Sequence, residues 1–324
     1  GSGKTESFLM PILHHVFREL FEAGQAGPSP TLHERALDWW MDDEIPNQYR
    51  EECYGAGELS QVPICTPQDD AAQLRQPGIR ALILYPMNAL VEDQMRRLRL
   101  ALDSAEMHQL YDAGPGGAIG YSGENITGFN GHSPRFARYN SATIGNTLPA
   151  EDSDDIDEAN VMDEIRNDIL RPYEEMFSAL NGGNSPDIGE QLSNRLPELP
   201  EGEIPFEAAD GFSVPSPWGC ESRCRWDLQA HAPDILVTNN TMLSIMLMRQ
   251  VDNPLFEQTL QYLDEVDGAR FHLVIDELHL MRDAEGSSSA LLLRMLLQRL
   301  QMLPTEDGQP GVHADKLRIL ASSA

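Results

Sequence analysis

Four nearly uninterrupted apolar runs mark the chain: Ile79–Tyr85 (IRALILY), Ile235–Thr238 (ILVT), Phe271–Ile275 (FHLVI) and Leu317–Ala321 (LRILA). None shows the alternation of a half-exposed strand. Such runs predict short strands buried on both faces. Between them the apolar positions recur at helical spacing. Phe8, Leu9, Ile12, Leu13, Val16, Phe17 and Leu20 make one apolar face, predicting a helix from Lys4 to about Ala23 with a kink at Pro11. Further helices are expected from Asn88 to about Ala105, and over Asn240–Arg249, Leu255–Leu263 and Ser287–Leu303; Ala118–Tyr121 reads as a short strand. Apolar strands alternating with helices predict an α/β fold, a parallel sheet with helices on both faces.

Two stretches break this rhythm. Residues 24–77 and 124–230 are rich in Pro, Gly and acid, and read as large insertions. Short helices are expected inside them, near Glu34–Met41 and over Glu158–Leu180. Charge sharpens the division. The net charge is −29, yet residues 150–212 hold 18 Asp or Glu against three Arg, and residues 22–77 hold 11 against three. The remainder carries only −6, so the acid belongs to the insertions and the rest is mildly acidic. Nucleic-acid binders are usually basic, so residues 150–212 read either as a gate or a dock for a basic partner, or as a disordered solubilising loop. No apolar run is long enough to span a membrane. Four Cys in 324 residues suit a reducing, cytoplasmic setting. Cys53, Cys65, Cys220 and Cys224 could form a zinc site, but their spacing is loose and structural thiols are the simpler reading.

Candidate chemistry sits at the chain's two ends. Gly1-Ser2-Gly3-Lys4-Thr5 is a Gly-rich turn running into a helix. Its N–H groups suit phosphate oxygens, Lys4 can reach the β- and γ-phosphates, and the Thr5 hydroxyl can ligate Mg²⁺. In VIDELH, Val274–His279, Asp276 ends an apolar run and Glu277 follows it. An acid at a strand's C-terminal end is placed to hold a metal, and its neighbour can orient water. This pair predicts a site for ATP and Mg²⁺. Three turns could expose backbone or caps at strand ends: Pro86–Asn88, Gly120–Gly123 and Thr238–Asn240. Ordinary helix caps are the bland reading of each; together they could track the phosphates of one strand. Arg96, Arg97 and Arg99 read as a solvated face or a strand-binding patch, and His14 and His15 as packing or surface groups. Met242, Met246 and Met248 read as core, and Trp39-Trp40 as the half-buried core of an insert.

In order, these segments resemble superfamily 2 helicases of the DEAD/DEAH-box type. The likeness covers Gly1–Thr5, Tyr85–Gln94, Gly120–Gly123, Val237–Leu243, Asp276–His279 and Ser322–Ala324, together with TESFLMPIL after the phosphate loop. Asp276–His279 reads DELH rather than DEAD or DEAH, and the third motif reads SSA rather than SAT, which leaves its hydroxyl contacts open. The stretches YPMNALVEDQ and RWDLQAHAPDILVTNNTMLSIMLMR are most similar to large bacterial DUF1998-containing helicases, a group that includes phage-defence helicases of the DISARM type. The resemblance implies a single, truncated RecA-like lobe over 1–324, with a preceding strand and a second lobe in sequence beyond it. It implies ATP hydrolysis through Lys4, Asp276 and Glu277. It further implies nucleic-acid contacts, DNA above RNA, from Pro86, Asn88, Gln94, Gly123, Thr238 and Asn239, and coupling through His279, Ser322 and Ser323. The isolated lobe would hydrolyse ATP weakly, because the second lobe usually supplies the arginine for phosphoryl transfer. The alternative is a regulatory or scaffold protein using such a lobe as an ATP switch, with acidic protein-binding insertions.

Overall fold

The computed structural model describes residues 4–29, 75–86, 88–114, 116–119, 125–143, 219–222, 225–280, 283–305 and 307–323. In chain order the elements are α1 (Lys4–Ala26), β1 (Ala81–Tyr85), α2 (Asn88–Leu102), α3 (Ala105–Asp112), β2 (Ala118–Ile119), β3 (Asn125–Ile126), β4 (Phe136–Tyr139) and β5 (Glu221–Ser222). Then follow α4 (Arg225–Ala230), β6 (Ile235–Asn239), α5 (Asn240–Met248), α6 (Asn253–Glu265), β7 (Phe271–Ile275), α7 (Asp283–Arg299) and β8 (Leu317–Ala321).

Six strands form one sheet in the order β5-β4-β6-β1-β7-β8. Every pairing in it is parallel. The apolar runs explain why: β1, β6 and β7 are buried at every position, as a sheet covered on both faces demands, whereas β8, an edge strand, is not buried as its run predicts. Alternate residues feed opposite layers. Ala81, Ile83, Ile235, Val237 and Val274 pack with α1 residues Ile12, Val16 and Leu20 and α2 residues Val91, Met95 and Leu98. Leu82, Leu84, Leu236, Leu273 and Ile275 pack beneath α5, α6 and α7 through Leu243, Phe256, Leu263 and Leu296. The α/β architecture with helices on both faces is therefore as the periodicity predicts. Met242 and Met246 are core, while Met248 is exposed.

The differences are local. α1 continues through exposed Pro11 to Ala26. The helix expected from Asn88 to about Ala105 is α2 and ends at Leu102, and a further helix, α3, follows it with Ser104 as its cap. Of the strand expected at Ala118–Tyr121, Ala118–Ile119 pairs antiparallel with Asn125–Ile126 apart from the main sheet, and Gly120 and Tyr121 lie outside the described residues. Residues 124–230 are not one insertion: they contribute β3, β4, β5 and α4, and β4 lies inside the sheet between β5 and β6. FARY escapes an apolar-run reading because Arg138 interrupts it. The expected helices at Glu34–Met41 and Glu158–Leu180, and Trp39-Trp40, lie outside the described residues.

A buried charged network closes the N-terminal edge of the sheet. Arg80, just before β1, donates to Glu19 of α1 through Nε at 2.9 Å and lies 3.2 Å from Asp234, just before β6. Arg75 also reaches Glu19 and Asp234. Tyr262 donates to Glu19 at 2.8 Å, and its ring sits 3.9 Å beneath the Arg80 guanidinium. Burial alone would raise the Glu19 carboxyl, yet Arg80, His15 and Arg75 hold it well below the carboxylate range. His15 is thus a packing group inside this network, and His14 is exposed. Because Glu19 meets the N-terminal edge, α1 runs antiparallel to the strands. From Lys4 to Glu19 a helix rises roughly 22 Å, more than a five-residue strand spans. The first turn of α1 therefore lies at the C-terminal edge.

Candidate functional site

That C-terminal edge gathers the acidic pair and its neighbours. The β7 backbone delivers Asp276 beside β1, its N–H donating to the Leu84 carbonyl at 3.1 Å. Glu277 then adopts φ 51°, a left-handed conformation that a non-glycine residue rarely takes. Such backbone strain concentrates at functional sites. The turn is held on two sides. The Glu277 N–H donates to Asp276 Oδ1 at 2.9 Å, and the Leu278 N–H donates to the Ser322 carbonyl at 2.9 Å.

Ser322 follows β8, the strand beside β7. Its hydroxyl donates to Asp276 Oδ1, and its N–H donates to the Ile275 carbonyl at 3.0 Å. Two donors on one oxygen fix the direction of the Asp276 carboxylate, which is buried. His279 Nδ1 lies 3.1 Å from Glu277 Oε2, and both residues are half-buried. The structure thus brings together Asp276, Glu277, His279 and Ser322. Ser323 follows in the same loop. Lys4 and Thr5 open α1 at this same edge, while Gly1, Ser2 and Gly3 lie outside the described residues. A buried carboxylate at such an edge is a donor suited to a hard divalent cation.

Tyr85 is a member that sequence reasoning missed. It ends β1, and the register that pairs Leu84 with Ile275 sets it opposite Asp276. Its hydroxyl donates to Gln94 Oε1 at 2.8 Å. Burial first, and then the adjacent Asp276 carboxylate, push its phenol far above the usual range, so it stays a proton donor. A tyrosine inside an apolar run reads as core; only its place one residue before the Pro86 turn marked it.

The turn residues fall in different settings. Pro86 is half-buried after β1, Asn88 opens α2, and Gly123 lies outside the described residues, between β2 and β3. Gln94 is buried against Tyr85. Thr238 is fully buried and donates to the Tyr139 carbonyl at 2.6 Å. Asn239 caps α5 by accepting from the Met242 N–H at 2.8 Å. For Gln94, Thr238 and Asn239 to bind a phosphate, these internal bonds would have to open. The arginines divide likewise: Arg96 is exposed, Arg97 pairs with Asp93 and Glu6, and Arg99 is buried against Glu221.

The chain is similar to Druantia protein DruE of Escherichia coli (strain UMEA 4076-1). The two are 27% identical over 327 residues, covering 93% of this chain and 14% of that protein. The chain therefore spans only 14% of the length of the relative it matches. No family model and no solved structure matches it. Among the described residues, no helix is long and apolar enough to cross a membrane.

Proposed function

We propose that this chain is the ATP-binding lobe of a nucleic-acid helicase or translocase that acts on DNA in phage defence. The observation that carries the reading is the fixed cluster at one sheet edge: Asp276 clamped by Ser322, with strained Glu277 beside it. The first turn of α1, which carries Lys4 and Thr5, is directed to that edge. The likeness to phage-defence helicases in the motifs, and the 27% identity with Druantia protein DruE, support the defence role.

In this reading the Gly1–Thr5 backbone and Lys4 bind the triphosphate of ATP, and Thr5 and Asp276 hold Mg²⁺. The ion supplies charge neutralisation on the phosphate oxygens. Glu277 orients the attacking water and accepts its proton. His279 steadies the Glu277 carboxylate. Ser322 ties that site to β8, and Tyr85 ties it to α2 through Gln94. The tips after β1 and β6 then face a DNA strand chiefly through backbone N–H groups and Asn88, because the Gln94 and Thr238 side chains are enclosed. A second RecA-like lobe would close on this edge.

The test is ATP hydrolysis by the full-length protein with and without single- and double-stranded DNA and RNA, paired with plaque formation in cells carrying the native system. DNA-stimulated hydrolysis, with both hydrolysis and protection abolished by Lys4→Ala, is the expected result. Hydrolysis indifferent to every nucleic acid would overturn the motor and favour an ATP switch. Protection that survives Lys4→Ala would overturn the link to defence.

A further inference from the structure

At the opposite edge of the sheet, Asp103, His108 and Cys220 converge from two separate stretches of the chain. Their ligand atoms all lie within 4.8 Å of one another. All three side chains are buried: Asp103 and His108 are 5% exposed, and Cys220 is 0% exposed. Asp103 follows α2, His108 lies on α3, and Cys220 precedes β5.

The hydrogen bonds of this cluster are uneven. Asp103 Oδ1 accepts from the Cys220 N–H at 2.7 Å and lies 3.1 Å from His108 Nε2. Asp103 Oδ2 is enclosed and has no hydrogen-bond partner. A buried carboxylate oxygen without a donor is rare and calls for an ion or a water. The Cys220 thiol lies 3.9 Å from the Leu102 carbonyl, a weak contact. Carboxylate, imidazole and thiolate are each zinc ligands. Ligand atoms around a tetrahedral zinc stand roughly 3.3–3.8 Å apart, so the three groups, already within 4.8 Å of one another, would draw together on binding.

We propose that Asp103, His108 and Cys220 bind a zinc ion, with Asp103 Oδ2 as the carboxylate ligand. Binding releases the thiol proton to solvent and leaves Cys220 as thiolate. The imidazole stays neutral and gives its Nε2 lone pair to the metal. This arrangement replaces the four-cysteine site weighed from sequence; Cys53, Cys65 and Cys224 lie outside the described residues. The role is structural. Cys220 directly precedes β5, so the ion staples the start of that strand to the corner between α2 and α3. The site is remote from Asp276 and does not depend on the proposed ATP chemistry.

The experiment measures the metal content of full-length protein purified without chelators, for the wild type and for Cys220→Ser, Asp103→Asn, Cys53→Ser, Cys65→Ser and Cys224→Ser. Cys220→Ser and Asp103→Asn should each lose one equivalent of zinc per chain, and the other three should lose none. Asp103→Asn keeps side-chain shape and the Oδ1 acceptor, so it reports on ligation even if Cys220→Ser fails to fold. With cobalt in place of zinc, the wild type should show a thiolate-to-cobalt charge-transfer band that weakens in Cys220→Ser. Wild-type zinc content in Asp103→Asn would overturn the proposal. So would loss of the same equivalent from Cys53→Ser, Cys65→Ser or Cys224→Ser, which would mark a cysteine cluster instead.

Discussion

Glu277 stands in a left-handed conformation between two donors that hold its turn, so its carboxylate points where the fold dictates. In the full-length protein, Glu277→Gln should keep nucleotide affinity and lower turnover by about 100-fold or more, the span expected when a positioned base is removed. Nucleotide binding and steady-state hydrolysis measured together check this; unchanged turnover would sink the role. Ser322→Ala removes a donor from Asp276 without touching the proposed ligands. Lost orientation of this kind costs about tenfold or more, so turnover should fall while nucleotide affinity holds. His272 tests the pH logic of the core. Burial pushes its imidazole down from 6.5 to about 4, against a bond from Nδ1 to the Arg80 carbonyl. The unfolded chain thus takes up this proton first. The stability it protects is intact above 6.5 and is lost as pH falls toward about 4. His272→Gln should flatten that part of the stability-versus-pH curve, followed by urea midpoints. Asp276 and Glu277 were readable in the sequence because an acid pair ending an apolar run has few structural excuses. Tyr85 and Ser322 were harder: one hides inside a strand, and the other matters through a partner 46 residues away.

The α2–β5 contact rests on a buried ion pair. Arg99 grips Glu221 through Nε at 2.5 Å and Nη2 at 3.0 Å, with both side chains enclosed. Arg99→Met would strand a carboxylate in the core and should cost about 3–5 kcal/mol. Adding Glu221→Leu should recover much of that loss, since an apolar pair replaces a buried charged one at little net cost. A thermal-denaturation double-mutant cycle reads the difference; no recovery would mean that the side chains act independently. This pair also explains where sequence reading stops. β1, β6, β7 and β8 were legible because each is an apolar run followed by turn chemistry. β4 and β5 were not: they are short, and their charged residues Arg138 and Glu221 find partners far along the chain. Arg99 looked like part of a basic patch because its neighbours Arg96 and Arg97 do face outward. Periodicity assigns a residue to a face, and only the fold shows what waits there.

Across the whole molecule the charge is arranged as unevenly as the sequence suggests, and the topology adds where it emerges. Residues 150–212 carry a net charge of −15. The chain that leads to them leaves the sheet after β4, whose last residue pairs with Thr238 of β6. That exit lies on the C-terminal edge, with Asp276 and the proposed strand-binding tips. The return lies at the opposite edge, where Phe136 pairs with Glu221. An acidic segment held near the proposed strand-binding tips would repel phosphate within roughly 10 Å at 0.1 M salt. We therefore expect it to gate the strand path, or to be drawn aside by a basic partner. Replacing 150–212 with a short Gly/Ser linker in the full-length protein isolates the effect, because both anchoring strands stay in place. Gating predicts DNA binding about tenfold tighter or more at low salt, shrinking as salt rises, and faster ATP hydrolysis without a partner. Docking predicts instead that DNA affinity holds and a basic partner is lost. If affinity stays constant at every salt concentration and partner binding is intact, neither role survives. The acid would then serve only to keep this segment soluble.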